Sequence, residues 1–437
     1  MPLAHTVEEI SLKNGARGLL VTTPGATSVR YSVQFRAGNC YVEDRSVSQT
    51  AHLMEHMAFG PNAEFASMEA FSREFSKNGA YHNAYTSGTD MVYSAGAALM
   101  EWERILRLQL MAIAKPVFTE ESLVAEKGNV REEIVGYAGN HGRLLWQEMA
   151  NRAGLDRWLD ARELKTIDAV TLEDINRHYK KTHTPENMRF VIVGDLAAHR
   201  DTIIDLFEQT FPTQSHGRLP LPVDAPHGTD LVTITRKDLP SITFTISFFL
   251  NRTLTRAELR AVSVLTHILT DTFHSRIWGK ARARGICYGM GSWISSEATQ
   301  LTEFGLGGQV SVDNTAELFT LIADELVRTA REGITEDELI AAKEYRLGGL
   351  QMGTETTASL ASWYMGYYYE MDEIDYVERM PELINATTVE EITTILREII
   401  ATDAWSFGVI GNIEEDQIRP QYTEFKRIIE TFKKELV

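Results

Sequence analysis

Three shortages in this 437-residue sequence set the first limits on what it can be. Its two cysteines, Cys40 and Cys287, are too few for a disulfide framework, and their scarcity favours a reducing compartment such as the cytoplasm. No stretch approaches the roughly 18 uninterrupted apolar residues of a membrane-spanning helix. The start of the chain has neither a signal-peptide nor a transit-peptide pattern. These features predict a cytoplasmic protein that does not span a membrane.

Basic residues are also scarce relative to acidic ones. The chain has 43 Lys and Arg against 61 Asp and Glu, which gives a formal net charge of −18, with the acidic residues spread along its length. A nucleic-acid-binding surface would be basic, so nucleic acid is not the expected partner. An acidic chamber would favour basic peptides instead. The length fits two domains of about 200 residues each.

The most informative stretch that is present runs from His52 to His56 and reads HLMEH. Apolar residues recur around it at helical spacing, and no Gly or Pro interrupts before Gly60, so we predict a helix. On that helix His52 and His56 are one turn apart and can hold one metal ion, while Glu55 on the same face can deprotonate a water. The order HxxEH inverts the HExxH motif of many zinc proteases. The alternative is two surface histidines beside a salt-bridging glutamate.

A catalytic zinc site needs a third protein ligand, and the helix predicted to follow Thr119 offers three glutamates. At about 100° per residue, Glu126 and Glu133 lie only about 20° apart around this helix, and both border its apolar stripe. Glu132 points towards solvent. The residues alone therefore allow either Glu126 or Glu133 to face an interior site. The alternative is that all three are solvated helix charges.

The second half of the sequence repeats the first. The matched positions are Thr171 with Thr388 and Phe190 with Phe407, both 217 residues apart, and Thr119 with Thr335, 216 residues apart. The positions equivalent to Glu126 and Glu133 are occupied by Ala342 and Gly349, so the second half kept the fold and not the acidic residues. A period of this length indicates a duplicated domain.

A segment rich in Pro, Gly and polar residues, 213–228, is the predicted linker between an N-terminal metal-binding domain, 1–212, and a C-terminal homologous domain without metal ligands, 229–437. Each half reads as strands, helices and strands. This order predicts an α+β fold of two homologous α/β-sandwich halves, each a mostly antiparallel sheet with helices packed on one face.

The inverted motif, the later glutamates and the two-fold repeat resemble the pitrilysin/insulysin family of zinc peptidases over nearly the whole chain. The resemblance is to the short-chain branch that includes mitochondrial processing peptidase and its bacterial relatives. It implies that Zn²⁺ is held by His52, His56 and Glu133, that Glu55 is the general base, and that Glu126 orients the site. It also implies half of a clamshell, which a homodimer or heterodimer would close into a chamber.

A second pattern, G-x-x-x-N-A-x-T-S from Gly79 to Ser87, also matches the family. The resemblance implies an edge strand near the zinc in which Asn83 and Ala84 bind the substrate backbone. Strand addition of this kind accepts any extended peptide with little demand on its sequence.

The family also uses an Arg and a Tyr from the C-terminal half to hold the substrate carbonyl. Tyr288 is in place within 275–293, but Ala281 occupies the usual Arg position, seven residues earlier. Arg282 fits if the loop is one residue shorter. Arg284 is the alternative for the Arg, and a plain surface basic cluster is the alternative for both.

The predicted function is a zinc metalloendopeptidase that hydrolyses unfolded peptides in a dimeric chamber. A specific precursor- or presequence-processing peptidase would use the same site, and a non-catalytic assembly or chaperone-like subunit would have the same fold. We interpret the lone His82 as a structural residue of a strand. The aromatic residues between Trp363 and Tyr368 are at helical spacing and are expected in the core.

Overall fold

Strands and helices are distributed over both halves of the chain in the computed structural model, which describes residues 3–155, 159–212 and 217–436. The strands are β1 (Thr6–Ser11), β2 (Arg17–Thr22), β3 (Ser28–Arg36), β4 (Tyr81–Thr86), β5 (Asp90–Ala98), β6 (Met188–Gly194), β7 (Val232–Thr235), β8 (Ile242–Leu250), β9 (Gly289–Glu297), β10 (Leu301–Val310) and β11 (Trp405–Gly411). The α-helices are α1 (Thr50–Ala58), α2 (Met68–Phe75), α3 (Trp102–Ala114), α4 (Glu120–Gly136), α5 (His141–Arg152), α6 (Asp160–Thr166), α7 (Leu172–Thr182), α8 (Arg200–Thr210), α9 (Arg256–Thr266), α10 (Trp278–Ala283), α11 (Thr315–Glu332), α12 (Glu336–Met352), α13 (Thr357–Met371), α14 (Met380–Ala386), α15 (Val389–Ala401) and α16 (Glu415–Leu436). No helix of the described ranges combines the length and the apolar character that crossing a membrane requires.

The strands form two sheets with the same internal order. The first sheet runs β1-β2-β6-β3-β5-β4 and the second β7-β11-β8-β10-β9, so each strand of the second sheet has a counterpart in the first. Neighbouring strands are antiparallel except for β2 with β6 and β7 with β11. The predicted duplicated α+β fold with mostly antiparallel sheets is confirmed.

Local sequence signals explain where several elements begin. Thr171 and Thr388 occupy equivalent positions in the sequence repeat. They form capping boxes at the starts of α7 and α15 respectively. The hydroxyl of Thr119 accepts a hydrogen bond from the Ser122 N–H at 3.1 Å, which caps the start of the helix predicted to follow this residue. The central strands β6 and β11 are buried at all seven positions, and most of their residues are apolar, with Arg189 and Ser406 as buried polar exceptions.

Helices cover both faces of the first sheet, so the expectation of helices on one face only is wrong. Side chains of β6 alternate between two apolar clusters: Phe190 and Ile192 join the core that includes α1 and α3, while Val191 and Val193 join a second core. This second core is completed by α13, which contributes the buried Tyr364. A strand that is apolar at consecutive positions needs cover on both faces, and helix α13 supplies the second cover.

The duplicated halves exchange the helices that cover these second faces. One compact unit contains Met1–Gly136, Asp160–Pro222 and Leu350–Glu378, and the other contains Tyr137–Leu159, Val223–Gly349 and Arg379–Val437. Helix α13 thus belongs to the first unit, and α5, which begins 216 residues before it, belongs to the second.

In the second unit, Leu145 and Met149 of α5 pack against Val232 and Ile410 of the sheet. The units therefore differ from the contiguous domains predicted at 1–212 and 229–437. Within the predicted linker, 213–216 lie outside the described residues, and the change of unit falls between Pro222 and Val223.

Candidate metal centre

Helix α1 presents its two histidines on the side opposite its core contacts. Leu53, Met54 and Met57 of this helix are at most 1% exposed and anchor it in the first unit's core. His52 and His56 remain partly exposed, with their ring centroids 4.9 Å apart and nearly perpendicular. The helical spacing therefore places two imidazoles side by side, as predicted.

Helix α4 brings Glu133 to both imidazoles. The Glu133 Oε2 atom lies 3.4 Å from the Nε2 atom of His52 and 3.4 Å from the Nε2 atom of His56. One donor atom from each of the three residues lies within 4.8 Å of the other two. In the part of the chain that the structure describes, no other group of three His, Cys, Asp or Glu residues is so arranged. Two imidazoles and a carboxylate form a donor set that suits zinc with one position left open.

The other ring nitrogen of each histidine has its own partner. The Nδ1 atom of His56 is 3.0 Å from Glu126 Oε2, and the Nδ1 atom of His52 is 3.0 Å from Gln49 Oε1. Glu126 is buried and also accepts a hydrogen bond from the Asn129 side chain at 3.0 Å. The geometry thus separates the two candidate acids, because Glu133 faces both Nε2 atoms while Glu126 lies behind His56.

Charge and burial act on His56 in opposite directions. Burial lowers its pKa, but the hydrogen bond to Glu126 and the nearby charges of Glu55, Glu126 and Glu133 raise it above the ordinary value overall. The same Glu126 bond lowers the pKa of Glu126 and keeps this carboxyl ionised. Because a metal binds the neutral imidazole, protons and metal compete for this residue.

Glu55 lies in the same environment and is only 9% exposed. Its Oε2 atom accepts a hydrogen bond from the Thr86 hydroxyl at 2.7 Å. Burial raises the pKa of Glu55 above its ordinary value, although the Thr86 bond and the two imidazoles act to lower it. A carboxylate made more basic by burial and held by one hydroxyl is suited to proton transfer.

Strand β4 lies at the edge of the first sheet. On one side Asn83 and Ala84 face Ser94 and Tyr93 of β5, and on the other side no strand of the described residues pairs with it. Thr86, which bonds to Glu55, is the last residue of this strand. The predicted edge strand is therefore present and is connected directly to Glu55.

Other residues considered in the sequence analysis lie outside the metal centre, in the core or on the surface. His82 packs against the rings of Phe59 and Phe75, with centroids 4.2 and 4.7 Å away, and burial lowers its pKa. Glu132 is exposed, as its position on the helix predicted. Tyr364 and Tyr368 are core residues, as expected for the aromatic segment.

Arg282 and Tyr288 lie together in the second unit. The Arg282 guanidinium carbon is 4.0 Å from the Tyr288 ring centroid, and Nη1 donates to the Tyr288 carbonyl at 3.1 Å. The Tyr288 side chain is largely exposed. Arg284 instead forms an ion pair with Glu317 at 3.5 Å. Arg282 is thus the arginine that partners Tyr288, while the role of this pair in holding substrate stays a prediction.

The sequence analysis missed three residues that hold the site together: Gln49, Thr86 and Asn129. Gln49 and Asn129 are three residues from His52 and Glu126 respectively, a spacing that places side chains together on a helix. Thr86 was part of the matched pattern but received no role. Helical spacing around each predicted residue was the signal that could have identified the first two.

A duplicated α+β fold with an inverted histidine motif and a distant glutamate defines a class of metallopeptidases, and the family comparisons agree. Residues 17–157 match the model of the insulinase family, peptidase family M16, and residues 169–345 match that of the peptidase M16 inactive domain. The chain belongs to peptidase family M16. The inactive-domain match begins in the first half and extends into the second, where it includes the buried Ala342 that replaces the acid at the position of Glu126.

Relatives and solved structures support this assignment. An uncharacterized zinc protease of Streptomyces coelicolor is 22% identical over 94% of this chain and 91% of its own length. The beta subunit of the mitochondrial-processing peptidase of Saccharomyces cerevisiae is 22% identical over 48% of this chain and 46% of its own length. A crystal structure described as a peptidase M16 inactive domain from Pseudomonas fluorescens superposes with a TM-score of 0.82 at 21% identity, covering 94% of this chain and 99% of that one.

Proposed function

We propose that this protein is a zinc metalloendopeptidase that hydrolyses unfolded peptides. The observation that carries the proposal is the convergence of His52, His56 and Glu133 within 4.8 Å, beside the buried Glu55. The similarity to a zinc protease over almost the whole chain supports the same chemistry.

The proposed reaction adds water across a peptide bond. Zinc, when bound, acts as a Lewis acid that lowers the pKa of water and polarises a carbonyl. Glu55 accepts one proton from the attacking water, whose oxygen forms a bond with the carbonyl carbon. Glu55 then passes that proton to the leaving nitrogen as the C–N bond breaks, which gives a free amine and a carboxylic acid, and the acid then loses the second water proton to solvent. The hydroxyl of Thr86 keeps the Glu55 carboxylate in place during both transfers.

Strand β4 supplies the proposed peptide-binding surface. An extended peptide can pair with its free edge through backbone hydrogen bonds, with Asn83 and Ala84 as the contact positions. Backbone pairing selects for unfolded segments more than for sequence. This supports unfolded peptides as the substrate class.

The test compares the parent protein with the Glu55→Gln variant on a diverse peptide library, with and without a chelator. We expect the variant to bind zinc as the parent does and to lose roughly 10²–10⁴-fold in hydrolysis rate, because the amide cannot accept a proton. The chelator should abolish hydrolysis by the parent, and added zinc should restore it. Hydrolysis at the parental rate by Glu55→Gln, or hydrolysis that resists the chelator, would refute the proposal.

Two alternatives have specific support. The similarity to a mitochondrial-processing peptidase subunit favours a precursor-processing role, in which one site in a precursor would be cut and the library left intact. The likeness to a structure described as an inactive domain favours a non-catalytic subunit, which would show no metal-dependent hydrolysis at all. We also propose a homodimer or heterodimer as the working form, and an active, strictly monomeric protein in light scattering would contradict this.

A further inference from the structure

Gln49 occupies the N-cap position of α1 but does not cap the helix. Its side chain makes no hydrogen bond to the backbone N–H groups of the first turn. Ser, Thr, Asp and Asn are preferred at this position, because their side chains cap the helix and stabilise it. Gln49 is 1% exposed, so its amide is not placed there for contact with water. Gln49 therefore does not stabilise the helix by capping it, and its buried amide must serve another interaction.

The other interaction is the contact with His52. Gln49 Oε1 lies 3.0 Å from His52 Nδ1, and His52 Nε2 lies 3.4 Å from Glu133 on the opposite side of the ring. A nitrogen that binds a metal must offer a lone pair, so the ring proton has to reside on Nδ1. The Nδ1–H group then donates to the amide oxygen of Gln49, which fixes both the tautomer and the direction of the ring.

We infer that Gln49 is a positioning residue for the metal ligand His52, an inference that rests on the proposed zinc-binding function. It has the same relation to His52 that Glu126 has to His56. The two partners differ in charge, since Glu126 is an ionised carboxylate and Gln49 a neutral amide. The site thus orients both imidazoles while adding only one buried negative charge behind them.

Loss of the partner of a ligating histidine costs about 10–100-fold in metal affinity. Gln49→Met keeps the length and approximate volume of the side chain but removes the acceptor, so we expect it to bind zinc about tenfold more weakly. Gln49→Glu restores an acceptor for Nδ1–H and should bind zinc within threefold of the parent, or more tightly. Zinc affinity is measured by competition with a chromophoric chelator, which needs no peptidase activity.

Two further measurements separate positioning from packing. Thermal unfolding of the metal-free proteins should be similar for the parent and both variants. The visible d–d spectrum of the cobalt-substituted protein should change for Gln49→Met, because the ring of His52 is no longer held. If Gln49→Met does not fold, Gln49→Asn replaces it, since the shorter amide keeps the polarity but does not reach the ring.

Parental zinc affinity and spectrum in Gln49→Met would overturn the inference, and so would equal weakening in Gln49→Met and Gln49→Glu. A parent protein that binds no zinc would instead refute the proposed function itself.

Discussion

Replacement of Glu133 by Gln is the most direct perturbation of the metal centre. Its Oε2 atom is 3.4 Å from both imidazole Nε2 atoms, so this one oxygen completes the three-donor set. An amide of the same shape carries no negative charge and is a weak ligand for zinc. We therefore expect Glu133→Gln to keep the fold and to lose most of the zinc affinity.

The magnitude follows from the number of ligands. Structural zinc sites bind with about 10–16 kcal/mol, and one ligand of three or four accounts for about 3 kcal/mol or more of that. This corresponds to an affinity loss of at least about 100-fold. At a zinc concentration about 100 times the parental Kd, zinc stabilises the parent by about 2.7 kcal/mol and the variant by only about 0.4 kcal/mol. For a unit of about 200 residues this difference lowers the zinc-dependent rise in Tm by about 5–9 °C.

The assay is chelator competition, with thermal unfolding in the presence and absence of zinc as an independent measure. Glu132→Gln is the matched control, because it removes the same charge from the adjacent, exposed position of the same helix. Glu126→Gln should fall between the two, since this residue acts through His56. Parental zinc binding in Glu133→Gln, or an equal loss in Glu132→Gln, would refute the reasoning.

Two further predictions concern stability. Tyr364→Ala should destabilise the protein by about 3–5 kcal/mol in denaturant unfolding, because it opens a cavity under α13, whereas the exposed Tyr376→Ala should change little. Burial lowers the pKa of His178 to about 4 in the folded protein. At a pH between this value and the ordinary histidine pKa near 6.5, His178 is protonated in the unfolded chain but not in the folded one. Stability should therefore fall by about 2 kcal/mol from this residue between pH 7 and pH 5. His178→Gln, which can still donate to the Ala37 carbonyl, should lose that part of the pH dependence, and an unchanged pH profile would contradict the assignment.

Features encoded by near neighbours could be predicted from the sequence. The i, i+4 spacing of His52 and His56 requires only a helix, and the repeat of Thr171 at Thr388 required only comparison of the two halves. The same helical geometry narrowed the third ligand to Glu126 or Glu133. It could not choose between them, because the two lie on nearly the same side of one helix.

The choice came from how α1 packs against α4, which places Glu133 at the Nε2 atoms and Glu126 behind His56. The exchange of α5 and α13 between the two units was likewise decided by tertiary packing. An apolar helix face can cover any apolar sheet of matching shape, so periodicity shows that α13 is buried without showing against which sheet. Turns and periodicities depend on residues a few positions apart, so they can be predicted from the sequence. Which surfaces meet depends on residues that are far apart in the sequence, and these residues come together only once the chain has folded.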